Sequence, residues 1–187
     1  MRVTKKFIKR DKNSIDAEAI VDNVLLFILN NRNPFFDKME LIFSDEDRIQ
    51  TAAEERRAKI HINCYTKDFE EKDLRAVKIH ILRLILSTYA MTEQEDELLR
   101  EVQVNRELMK MGFSDDLFYY LYKNITATKA KNYEDFVKLS VAWMSYHKHD
   151  KFYEDFLKKT IDKLHNRKEY QSRFKKDNYL KRIEKAR

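Results

Sequence analysis

The sequence has few of the residues that form tight turns, with one Gly and one Pro in 187 positions. Average usage would be about 7% and 5%. Hairpins between β-strands need residues that accept positive φ, and Gly112 is the one residue here that does so freely. We therefore expect no sheet, and we expect short polar loops between helices.

Cysteine and long apolar runs are also scarce. Cys64 is the single cysteine, which excludes an intramolecular disulfide and a multi-cysteine metal site and is typical of a reducing compartment. The longest apolar stretches, such as residues 24–29, are shorter than the roughly 20 residues that span a bilayer. We expect a soluble, cytoplasmic protein with no membrane span.

Apolar residues recur at helical spacing along most of the chain. Ile20, Val24 and Ile28 share one face of a helix predicted over 15–30, and the clearest amphipathic pattern runs from Leu74 to Tyr89. Gly112 can end one helix in the left-handed conformation just before Ser114 begins the next. The sequence predicts an all-α fold: a single-domain bundle or short α-solenoid of about seven to eight helices.

Two segments in the first third of the chain bear directly on this fold class. Residues 34–43 and 44–60 are interpreted as helices that begin at Asn33 and Ser44. Residues 60–64 alternate at the period of a strand, but a lone five-residue strand has no partner to stabilise it. We interpret this segment as the end of a helix and a connection.

The charges are distributed unevenly. Residues 1–12 hold six Lys or Arg against one Asp, and residues 163–187 hold ten against three acids, whereas residues 13–162 hold 22 against 28. Clustered cations can follow a phosphate backbone, and a solvated helical tail is the alternative. We divide the chain into a basic N-terminal arm at 1–13, a helical body at 14–166 and a basic C-terminal helix at 167–187.

The basic ends are the candidate nucleic-acid-binding surface. Aromatic residues alternate with cations in the C-terminal helix, and the rings could stack on bases or pack that helix on the body. Packing is the favoured role, which leaves the cations for phosphates. The candidate residues are Lys5, Lys6, Lys9, Arg10, Arg167, Lys168, Arg173, Lys175, Lys176, Lys181 and Arg182.

Two weaker patterns suggest chemistry. Arg75 and His80 resemble the Arg, four to six residues, His spacing of all-helical ribonucleases of the HEPN class, and Arg56 with His61 has the same spacing. With five His and fourteen Arg in the chain, such short patterns arise by chance. His147, His149 and Asp150 could bind a metal, but nearby lysines oppose a cation, so we predict neither a metal nor a cofactor.

The function predicted from these patterns is binding rather than catalysis. We expect a non-enzymatic helical subunit that binds nucleic acid, RNA included, through backbone phosphates within a larger assembly. The alternative is a protein–protein interaction adaptor that uses the acidic helical body. A third possibility is a HEPN-like ribonuclease acting through Arg75 and His80.

Overall fold

The computed structural model describes residues 1–31, 36–45, 51–54, 56–91, 96–127, 133–164 and 167–176. The chain divides into two compact units, Met1–Glu95 and Asp96–Arg187. Within the described residues, no helix is both long and apolar enough to cross a membrane.

The first unit contains a four-stranded sheet. Its strands are β1 (Arg2–Phe7), β2 (Lys38–Ser44), β3 (Thr51–Glu54) and β4 (Arg57–Asn63), in the spatial order β1-β2-β4-β3. β2 pairs in parallel with β1 and β4, whereas β3 pairs antiparallel with β4. The central strands β2 and β4 therefore lie between neighbours on both edges.

Three helices accompany the sheet: α1 (Lys12–Asn31), α2 (Lys67–Glu70) and α3 (Leu74–Met91). α1 connects β1 to the parallel strand β2, and α1 and α3 contact each other as well as the sheet. Side chains alternate along a strand, so one face of the sheet packs on these helices. Its fully or almost fully buried residues are Met39, Leu41, Phe43, Ala58, Ile60 and Ile62.

The prediction of an all-α fold is wrong because of this sheet. Residues 38–44 form a strand instead of a helix, and residues 57–63 form β4 instead of a helix end. The scarcity of Gly did not exclude a sheet. The helix α1 joins β1 to the parallel strand β2, so that connection needs no tight turn. The antiparallel strands β3 and β4 are joined by residues 55–56, neither of which is Gly. Most of the described residues are nevertheless helical.

The second unit is helical over its described residues. It contains α4 (Glu97–Lys110), α5 (Ser114–Ala127), α6 (Tyr133–Tyr146), α7 (Lys151–Asp162) and α8 (Arg167–Lys176). Gly112 has φ +88°, and the N–H of Phe113 bonds the carbonyl of Leu108 at 3.0 Å. The predicted helical hairpin around Gly112 is confirmed. α6 contacts α4, α5, α7 and α8, so it is the central helix of this unit.

Candidate nucleic-acid interface

The N-terminal cations lie on and just after β1, and Lys5 is the most strongly engaged of them. Its Nζ lies 2.9 Å from Glu18 and 2.7 Å from Asp22, both on α1. Burial acts to lower the pKa of Lys5, but the hydrogen bonds to Asp22 and Glu18 outweigh it and raise the pKa. Lys5 therefore holds β1 against α1 and has its charge balanced within the unit.

The next three cations each have a nearby partner. Lys6 forms an ion pair with Glu40 of β2 and keeps 68% of its side chain exposed. The Nζ of Lys9 lies 3.5 Å from Asp11, and the guanidinium of Arg10 lies 5.2 Å from the ring of Phe7. Lys9 and Arg10 follow the strand, so they lie at the end of the sheet. The structure thus does not bring Lys5, Lys6, Lys9 and Arg10 onto one common face.

Pairing of the strands brings other cations beside Lys6. The division of the sequence into basic ends and a helical body did not identify them. We call the side of the sheet opposite α1 and α3 the outer face. Because residues in register share a face, the outer face contains Arg2, Thr4, Lys6, Lys38, Glu40, Ile42, Arg57, Lys59 and His61. Alternation along residues 57–63 is the sequence signal that could have located part of this face.

α8 is attached to its unit by aromatic side chains. Phe174 is 4% exposed, and its ring lies edge-on to Phe136 with centroids 5.7 Å apart. The ring of Tyr170 lies 5.8 Å from Phe136 and 6.0 Å from Tyr133. These contacts support the prediction that the rings of this helix pack on the body.

The cations of α8 fall into two groups. The guanidinium of Arg173 lies 4.1 Å from the ring centroid of Tyr133, and that of Arg167 lies 2.8 Å from Asp162. In contrast, Lys168, Lys175 and Lys176 are exposed. The candidates Lys181 and Arg182 lie outside the described residues.

Arg75 and His80 both lie on α3, which packs on the sheet. A five-residue spacing places two side chains about 140° apart around a helix, and Arg75 is exposed while His80 is half-buried. Burial, with a contribution from Arg83, lowers the pKa of His80 to about 4. The imidazole is therefore neutral at pH 7 and has no proton to spare as a general acid.

Arg56 and His61 lie at separate places in and before β4. Arg56 precedes the strand and lies 3.0 Å from Asp37, whereas His61 lies within the strand on the outer face. Five residues of strand span roughly 16 Å, so these two side chains do not form one catalytic pair.

The candidate metal ligands near the α6–α7 turn have other roles. His147 Nδ1 lies 2.7 Å from Glu154. The Asp150 carboxylate accepts hydrogen bonds from the backbone N–H groups of Phe152 and Tyr153 and caps α7. In the part of the chain that the structure describes, no three His, Cys, Asp or Glu side chains are grouped as metal ligands would be.

No protein-family model, curated protein or solved structure matches this chain.

Proposed function

We propose that the protein is a non-enzymatic subunit that binds nucleic acid through backbone phosphates, within a larger assembly. One observation supports this most directly: α8 packs its rings inward and leaves Lys168, Lys175 and Lys176 exposed to solvent. Cations that need not hold the helix in place can neutralise phosphates, and rings that are engaged in packing do not read bases.

The distribution of charge between the two units agrees with this role for α8. Residues 1–95 hold 17 Lys and Arg against 17 Asp and Glu, whereas residues 96–187 hold 21 against 15. The whole net charge of +6 therefore belongs to the second unit. A positive potential attracts polyanions and speeds their association. Because phosphates are common to all nucleic acids, the binding should depend little on base sequence.

The test is the triple substitution Lys168→Gln, Lys175→Gln and Lys176→Gln in the full-length chain. Each lost phosphate contact should flatten the plot of log affinity against log salt by about 0.9 for duplex DNA and about 0.7 for single strands. Three lost contacts should therefore reduce the slope by about 2 to 3, with weaker binding at every salt concentration. Gln retains helix propensity, so the fold should persist.

The matched control removes the same charge from α7. Lys151, Lys158 and Lys159 are also exposed, and their replacement by Gln should change the slope much less. Equal effects of the two triple variants would show that net charge alone attracts the ligand. If the α8 variant and the wild type bind RNA and duplex DNA equally, α8 is a solvated face, and the adaptor that uses the acidic body becomes the better proposal.

A further inference from the structure

The outer face of the sheet has a charge pattern that folding alone does not explain. Arg2, Lys38 and Arg57 are in register across three neighbouring strands, and all three are exposed. Adjacent strands lie about 4.8 Å apart, so this row of cations spans about 10 Å. Like charges placed directly opposite each other across strands destabilise a sheet.

Two more lysines extend the row along the strands. Lys59 lies two residues beyond Arg57 on β4, and Lys6 lies four residues beyond Arg2 on β1. The register places one carboxylate, Glu40, among them and a second acidic residue, Glu54, beside Arg57. Within the described strands, this face therefore has five cations and two acidic residues in register, on a unit that is electrically neutral as a whole.

Glu40 lies close to several cations of the outer face, and it forms an ion pair with Lys6. Its pKa is lowered first by the hydrogen bond from Lys6, and the charges of Lys6, Lys59 and Lys38 lower it further. One carboxylate therefore interacts with cations of all three strands. Two acidic residues do not balance five cations, so the described strands of the outer face carry a net positive charge.

The apolar content of this face distinguishes among anionic partners. Ile42 is 8% exposed, and Ala52, which is in register with Lys59, is small. Proteins that dock on a lipid surface through a basic patch commonly insert large apolar side chains as well. The residues described within the strands offer none on this face, which favours a nucleic-acid backbone over a membrane.

We propose that the outer face of the first unit is a second phosphate-binding surface for nucleic acid, formed by Arg2, Lys6, Lys38, Arg57 and Lys59. This inference rests on the proposed function, since it takes the same class of ligand as α8. It adds a surface in the other unit that binds through its own cations. No aromatic ring lies among its residues apart from the imidazole of His61, so it contacts phosphates and not stacked bases.

The experiment compares full-length variants in a salt titration with mixed-sequence RNA and duplex DNA. Lys38→Gln, Arg57→Gln and Lys59→Gln together should weaken binding and flatten the log-log slope on duplex DNA by about 2 to 3. The control replaces three exposed cations of the same unit that lie away from the sheet, Lys12, Lys67 and Lys72, and should leave the slope nearly unchanged.

Glu40→Gln is the complementary variant, and it decides the question if the triple variant fails to fold. Removal of the central carboxylate should tighten binding severalfold and steepen the slope, whereas a purely structural role for Glu40 would give weaker binding or no change.

The inference is overturned if neither variant alters binding while the α8 variant does. It is also overturned if the triple variant loses affinity only for phosphatidylserine vesicles. If the wild-type chain binds no nucleic acid at all, the proposed function fails with it.

Discussion

At the scale of single residues, the surroundings of His80 change its protonation. Its folded pKa is about 4 because it is buried, and its ordinary value is 6.5. Between these values the unfolded chain binds a proton that the folded chain does not. The free energy of unfolding therefore falls as the pH is lowered from about 6.5 toward 4. Since one pKa unit corresponds to about 1.4 kcal/mol, His80 accounts for a loss of about 3 kcal/mol.

The check is urea unfolding of the wild type and of His80→Leu at neutral pH and near pH 4. The variant has no imidazole to protonate at this position, so its stability should decline less with pH, by about the same 3 kcal/mol. If both proteins lose equal stability over this range, His80 titrates normally in the folded state, and its assignment as a buried neutral side chain is wrong.

The contacts of Lys5 could not be predicted from the sequence. The candidate Lys5 looks like any other cation in a basic segment, but Glu18 and Asp22 of α1 bind it. That arrangement depends on the crossover from β1 through α1 to β2. No local pattern around Lys5 indicates it.

At the scale of elements, the helices of the second unit were predictable and the strands were not. Gly112 and Ser114 located the end of α4 and the start of α5. β2 was mistaken for a helix because it is buried on both faces from Leu41 to Ser44, and a short apolar run has no period that separates strand from helix. With β2 unrecognised, the alternation of β4 had no visible partner.

The central position of β2 gives a prediction about stability. Leu41 is 0% exposed and lies between β1 and β4 on the face that packs against the helices. Leu41→Ala should lower the free energy of unfolding by about 2 to 5 kcal/mol, because it removes buried methyl groups and leaves a cavity. Leu26→Ala on α1 is the control, since Leu26 is 60% exposed and its loss should cost about 0.5 kcal/mol or less.

Chemical denaturation of the two variants at neutral pH provides the measurement. Similar losses for Leu41→Ala and Leu26→Ala would mean that β2 does not lie in a packed core. That result would contradict the buried position of Leu41 between β1 and β4.

At the scale of the whole molecule, the division of the chain by charge did not reveal the basic outer face of the sheet. Residues 13–162 were treated as an acidic body, yet Lys38, Arg57 and Lys59 come from within them. Parallel pairing with β1 places them beside Arg2 and Lys6. The C-terminal cations could be recognised from the sequence because they lie close together along the chain. The outer face required knowledge of which strands pair and in which register.

We propose above all that this protein binds nucleic acid through phosphates. The affinity of the wild-type chain for RNA and duplex DNA, measured across a range of salt concentrations, tests this directly. We predict a straight log-log plot with a slope on duplex DNA of about −3 or steeper, corresponding to three or more phosphate contacts. Shuffled base sequences should bind with nearly equal affinity. Absence of binding at low salt, or an affinity that salt leaves unchanged, would contradict the claim.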